Sequence, residues 1–371
     1  GIATDYSTRG FFSIIVNDKI LVSLFDFENR NAIFESVHRS YKFCLLTLSK
    51  LPTKNANFSF FASKTLDLRN PFLQLSLPIS EISRFNPNTQ SMPVFRTRLD
   101  AEIARIIYQN YEIIENEVSH KNPWEITFRQ GLFNMTSDSN LFLVKEDDES
   151  LRLYEDWMIH IFDHRYQSNN LGETTETQHK NPFHKSEPRY WVKRSEVDIQ
   201  TKDFNEQDFF LAFRNRTRNT DIRSVIISSI PYAGVGNNLP LLITELKLKH
   251  LLLSNIGSLI FDYFARNKIP GMNLNFYIFK QFPIITPSEY TFRDIQFINP
   301  RILELTYTSF DIIEFSRKIG YDGPPFIWNE DRRQLICSEL DAYYARMYGL
   351  NHKQLRYILD PADLTPKELE D

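Results

Sequence analysis

Two rhythms of apolar residues alternate along this chain. Spacings of three and four mark amphipathic helices, and short unbroken runs mark strands. Phe11 to Leu24 carries a helical stretch that passes into the run ILVSLFDF. Tyr41 to Leu48, YKFCLLTL, is nearly all apolar, as expected of a strand buried on both faces. Thr97 to Asn110 puts Leu99, Ile103, Ile106 and Ile107 at helical spacing, and NPWEITF (122–128) reads as a strand. In RYWVKRSEV (189–197), Trp191 is the expected core anchor. Phe209 to Phe213 and Ser224 to Ile230 read as two strands. Glu245 to Lys268 reads as one helix, with Ser254, Gly257 and Ser258 permitting close packing, and Asn275 to Pro283 as a strand. The remainder is helical. Asn299-Pro300 is expected to open a helix to Lys318, Arg332 to Tyr348 forms another that stops at Gly349, and Asn351 caps a last one to Leu359. The pattern predicts an α/β (α+β) fold whose C-terminal part is helical.

Composition narrows the functional classes. At 371 residues the chain has room for two domains or one large one. A net charge of −4 excludes a uniformly basic surface, so a nucleic-acid site must be a local patch. Phenylalanine is abundant and glycine scarce, which fits packed cores with few flexible linkers. Cys44 and Cys337 lie in apolar surroundings and read as reduced residues of a cytoplasmic protein. No apolar run reaches membrane-spanning length, so no membrane partner is expected, and the start lacks a signal-peptide pattern. Gly1 stands directly inside a patterned segment, which suggests a piece of something larger.

Candidate chemistry concentrates between Asp208 and Leu242. Arg214, Arg216 and Arg218 follow the first strand at alternate positions, interleaved with Asn215, Thr217 and Asn219, and Arg223 lies just beyond. If the run stays extended, the three alternate arginines share one face. Guanidinium groups and carboxamides pair with phosphates and base edges. The alternative is a solvated hairpin edge blunted by charge. Asn237, Asn238, Asn273 and Asn275 could read adenine or cap loops, and Lys193, Arg194, Lys268 and Lys280 are candidate phosphate ligands. His160 and His164 sit four apart beside Glu155, Asp156 and Asp163, a spacing better read as structure than as a metal site. Glu28, Asn29, Arg30, His38 and Arg39 form a polar loop that is either a ligand loop or a plain connection, and 168–182 is the best candidate for a mobile loop.

Several segments carry a resemblance. SLFDFENRNAIFESVHRSYKFCLLTL (23–48) resembles the end of the catalytic domain of large adenine-specific DNA methyltransferases of type II restriction–modification systems and their helicase-fused relatives. The segments 84–103, 122–142, 153–166, 208–242, 252–284 and 339–361 resemble the same family in the same order. Such enzymes also carry a Gly-rich loop for S-adenosylmethionine and an Asn-Pro-Pro-aromatic motif that binds the target amino group. Here Asn70-Pro71-Phe72, Asn122-Pro123-Trp124 and Asn181-Pro182-Phe183 each lack the second proline, and Pro324-Pro325-Phe326 lacks the asparagine.

The resemblance therefore implies four regions. Residues 1–62 would end the catalytic domain as a sheet remnant, and 63–185 would be a connector. Residues 186–290 would be a mixed α/β DNA target-recognition domain, and 291–371 a helical region. It further implies double-stranded DNA and the N-terminal catalytic part of the same enzyme as partners. S-adenosylmethionine is expected in the intact enzyme, and no cofactor, catalytic residue or metal in this chain. A structural or protein-interaction module of such an enzyme is the alternative.

Overall fold

A computed structural model describes residues 2–3, 8–204, 208–218, 221–269, 272–365 and 368. The chain divides into two compact units: 1–121 with 277–283 and 345–371, and 122–276 with 284–344. Both mix helices and sheets, so the α/β class holds.

The first unit contains helix α1 (Arg9–Asn17) and strands β1 (Leu21–Glu28), β2 (Lys42–Leu48), β3 (Asn55–Ala62) and β4 (Leu75–Pro78). Helices α2 (Ile79–Phe85) and α3 (Arg98–Asn110) follow. The sheet order is β2-β1-β3-β4, with β1 and β3 parallel and the outer pairs antiparallel. Phe12 and Ile15 of α1, Leu24, Phe58, Ile82, Phe85, Ala101 and Ala104 form one core. Thr97 caps α3 through a capping box with Asp100, which fixes the expected start of that helix.

β2 corrects the expectation of a strand covered on both faces. It is an edge strand paired only to β1, with Tyr41, Leu45 and Leu48 exposed. An apolar run reports that a strand forms, and its neighbours decide whether it is covered. The polar loop before it is held from within. Buried Asn29 donates to the carbonyls of Phe34 and Val37 and accepts from the Phe34 N–H.

The second unit has two four-stranded sheets. β5 (Thr127–Arg129), β6 (Phe142–Leu143), β7 (Ser150–Tyr154), β8 (Gln167–Ser168), β9 (Gly172–Glu173) and β10 (Trp191–Lys193) come first. Helix α4 (Glu176–Lys180) lies before β10 and α5 (Arg194–Thr201) after it. Strands β11 (Phe209–Phe213), β12 (Ile227–Pro231), β13 (Gly234–Val235) and β14 (Leu241–Ile243) follow. One sheet runs β13-β7-β10-β6 and the other β12-β11-β14-β5, while β8 and β9 form a ribbon. In β10 the fully buried residue is Val192, and Trp191 is only half-buried, so the expected anchor is off by one position. Gly131, at φ +64, lets the backbone pass Gly236 where a Cβ would sit 2.3 Å from the Gly236 oxygen.

Three expected elements come out differently. The helix from Glu245 is two, α6 (Lys249–Ile256) and α7 (Leu259–Arg266). They part at Gly257, whose missing Cβ makes room for the Phe162 ring, and Ser258 caps α7. The expected strand Asn275–Pro283 begins as the short helix α8 (Phe276–Phe279), because a short apolar run does not reveal its own period. Pro300 lies inside α9 (Phe292–Thr306), which starts earlier because Thr291 and Asp294 make a capping box. Helices α10 (Ile313–Ile319) and α11 (Glu330–Met347) complete this part of the chain. The last helix, α12 (His352–Leu359), belongs to the first unit and is capped by Asn351 as expected.

The segment 168–182 is anchored. Fully buried Arg165 donates to the carbonyls of His179, Asn181 and His184 and to the carbonyl and hydroxyl of Thr308.

Candidate nucleic-acid interface

β11 is buried along its whole length, and its antiparallel partner β12 returns from the arginine-bearing loop. The strand proper stops at Phe213 and the chain bends at Asn215, yet backbone pairing resumes around Arg216. There the Thr217 N–H donates to the Met272 carbonyl (3.0 Å), the Leu274 N–H donates to the Asn215 carbonyl (2.8 Å), and Arg216 bridges Asn273.

Alternation separates Thr217 from Arg216 and Arg218, as period two requires, but Arg214 leaves the face the three arginines were expected to share. Thr217 is buried, while Arg216 and Arg218 are exposed. Arg214 is half-buried. Its guanidinium donates to the Ile159 carbonyl and lies 5.3 Å from the Tyr166 ring centre, and burial lowers its pKa. Arg223 is drawn inward to Asp341 (3.5 Å). Asn219 lies outside the described residues.

The loop between them rests on Asp262, a fully buried carboxylate at the first turn of α7. Its Oδ1 accepts the N–H groups of Ser224 (2.6 Å) and Val225 (2.8 Å), and its Oδ2 accepts Nε of Arg266 (2.7 Å). The Thr217 hydroxyl donates to the Ser224 carbonyl and the Ser224 hydroxyl to the Arg218 carbonyl, which ties the two legs together.

Beside this loop is a contact that sequence spacing could not reveal. Asn238 Nδ2 donates to Asp156 Oδ1 (3.0 Å) across 82 positions of sequence. Burial raises the Asp156 pKa, and the charges of Arg216 and then Arg214 pull it back. Asp156 was thus grouped with the histidines by spacing but belongs with the arginines. The two histidines part company. The His160 ring lies 4.8 Å from that of Tyr166, and His164 Nε2 meets Asp311 (2.7 Å). No cluster of three metal-ligating side chains occurs among the described residues. The Asn237 side chain accepts from the Met135 N–H.

Asn273 and Asn275 are exposed on the segment that pairs with the arginine run or follows it. The other candidates lie elsewhere. Arg194 is exposed but stacks toward Tyr232, which follows the far end of β12 from the arginine loop. Lys193, next to it, pairs with Asp147 (2.7 Å) at the surface. Lys268 is half-buried after α7, and burial pushes its pKa well down. Lys280 belongs to the first unit. Burial opposes its charge there, but Glu117 (2.7 Å) and Glu115 (3.2 Å) hold its pKa up.

The three Asn-Pro-aromatic segments are self-satisfied. Asn70 Oδ1 accepts the Phe72 N–H and Asn181 Oδ1 the Phe183 N–H, while Asn122 exchanges two bonds with the Ile126 backbone. No helix among the described residues is long and apolar enough to cross a membrane.

No family model matches the sequence, and no curated protein matches it. Two solved structures of restriction–modification enzymes are similar to the chain. One is the type IIG restriction endonuclease BpuSI, at 10% identity and a TM-score of 0.33, over 98% of this chain and 46% of that one. The other is the type IIL restriction–modification enzyme MmeI in complex with DNA, at 10% identity and a TM-score of 0.46, over 98% of this chain and 48% of that one. The chain spans about half the length of each.

Proposed function

We propose that the second unit binds double-stranded DNA through the loop between β11 and β12. It would act as the target-recognition part of an adenine-specific DNA methyltransferase of a restriction–modification system. The observation that carries this reading is the sorting of the arginines. Arg216 and Arg218 stand exposed on a loop whose legs are fixed, with exposed Asn273 bridged to Arg216. A braced backbone lowers the ordering cost of contact, and arginine with asparagine is the pair that reads guanine and adenine edges. The ordered sequence segments supply the family. In the intact enzyme, a further catalytic part would bind S-adenosylmethionine and methylate an adenine flipped from the duplex. The sequence does not carry the Gly-rich loop that binds that cofactor in the family it resembles, nor the complete Asn-Pro-Pro-aromatic motif that meets the target amino group. Calorimetry is expected to show no S-adenosylmethionine binding to the chain alone. Stoichiometric binding would overturn this assignment of its limits.

The test of DNA binding is titration of the full chain with a mixed-sequence duplex at low and raised salt. Wild type should bind with affinity that falls steeply with salt, and R216A and R218A should each weaken binding, R218A with a flatter salt dependence. Equal, salt-independent behaviour of all three would leave the interaction-module reading, which the exposed apolar edge of β2 favours for the first unit.

A further inference from the structure

The tip of the arginine loop carries an apolar surface that its charge does not explain. Ile222 is 94% exposed, and Met272, on the adjoining segment, is 60% exposed. Thr217 joins the two, with its N–H on the Met272 carbonyl and its hydroxyl on the Ser224 carbonyl. The Ile222 carbonyl is itself held by the Arg266 guanidinium, which Asp262 fixes in turn. Ser224, Val225 and Asp262 beneath the tip are fully buried. A buried, hydrogen-bonded base thus thrusts two large apolar side chains into water, between exposed Arg216, Arg218 and Asn273. Folding alone gives no return for this arrangement, since both side chains stay wet.

We propose that Ile222 and Met272 form a wedge that enters a DNA duplex between stacked bases, while Arg218 holds a phosphate beside it and Arg216 meets a neighbouring base edge. The inference rests on the DNA-binding reading and adds a mechanical step to it. The tip also carries exposed Asp221, whose carboxylate is turned onto the Arg218 N–H (2.9 Å); the two exposed guanidinium groups outweigh it and favour a polyanion, and the apolar tip needs a dry surface inside it, which the faces of unstacked bases supply. Aliphatic and methionine side chains inserted at a base step unstack it and kink the duplex. A protein that must extrude a base gains from a device that opens the stack.

The experiment compares an intact mixed-sequence duplex with the same duplex carrying one mismatch, whose stacking is already weakened. The full-length chain should prefer the mismatched duplex by about tenfold, because part of the unstacking cost has been met beforehand. I222A with M272A should abolish that preference while leaving the salt dependence as in wild type. R218A should flatten the salt dependence and leave the preference. I222L serves as the conservative control and should retain the preference. Equal affinity of wild type for the two duplexes overturns the wedge alone. So does a preference that survives I222A/M272A. Absence of binding to either duplex overturns the DNA-binding reading and the wedge with it. Capture of a protein partner through Ile222 in place of DNA would do the same.

Discussion

Arginine does two opposite jobs within the second unit. Arg165 and Arg333 are buried. Arg165 closes the segment 168–184 by donating to backbone carbonyls, and Arg333 donates to the carbonyls of Leu305 and Phe162 while stacking on Trp328. Arg216 and Arg218 are exposed on a loop whose own hydrogen bonds are made by Asp262, Thr217 and Ser224. The difference lies in who satisfies the backbone. Where no side chain or ladder reaches the carbonyls, a guanidinium is drawn in to do it. Where a carboxylate and two hydroxyls already brace the turn, the guanidinium groups stay free to meet a partner.

The comparison breaks most sharply at Arg165. R165A leaves several buried carbonyls without donors, and should destabilise the second unit by about 3–5 kcal/mol. Urea denaturation should show a lower midpoint with an unchanged slope. A loss below about 1 kcal/mol would mean that water replaces the guanidinium and that the anchoring role is overstated. Asp262 tests the other side. D262A removes the acceptor for two buried N–H groups and for Arg266, at a cost of about 2–3 kcal/mol. It should also raise amide exchange at Ser224 and Val225, which R165A should not do selectively.

How far was this legible in the sequence? Strands β11 and β12, the helix after Asn351 and the exposure of Arg216 and Arg218 were readable, because period two and capping chemistry act within a few residues. The sorting of Arg214 and Arg223 away from solvent was not. Their partners, Ile159 and Asp341, are 55 and 118 positions away, and only the fold brings them in. The same holds for Asp156, whose spacing suggested histidine neighbours and whose fold gave it Asn238. Local rules fixed which residues alternate. Distant carbonyls and carboxylates decided which of them remained free.

The buried side of the comparison should also respond to acid. Burial works against the Asp163 carboxylate, yet the hydrogen bond and charge of His179, with Arg333 and the Arg165 N–H, hold its pKa down to about 2. Burial likewise opposes Asp311, and His164 with Arg152 depress its pKa as well. A depressed carboxylate stabilises the fold above the unfolded-state pKa near 4 and loses that contribution as pH falls through the folded value. Asp163 should therefore contribute about 2 kcal/mol at neutral pH that fades between roughly pH 4 and pH 2. Denaturation midpoints measured down that range should fall less steeply in D163N than in wild type. Parallel curves would remove Asp163 from the acid response.

The smallest effect on stability belongs to the exposed pair, and it sharpens the contrast most. R216A and R218A delete side chains that brace nothing in the fold apart from the field that Arg216 exerts on Asp156. Their stability should change by less than about 0.5 kcal/mol, the range for surface substitutions. Binding should separate them. An arginine on phosphate costs affinity equally for all duplexes and lowers the salt slope by roughly one unit. An arginine forked onto guanine costs about 1–3 kcal/mol, and only where that guanine is present. Arg216, which lies in the field of the Asp156 carboxylate, is the one expected to show sequence-confined loss, and Arg218, farther along the loop, the uniform one. D156N separates the two roles further. Removing the charge should relax site choice to about the level of R216A while leaving the salt slope of wild type intact. If D156N instead behaves as wild type in selectivity, Arg216 reads no base through that carboxylate, and both exposed arginines belong to the phosphate backbone.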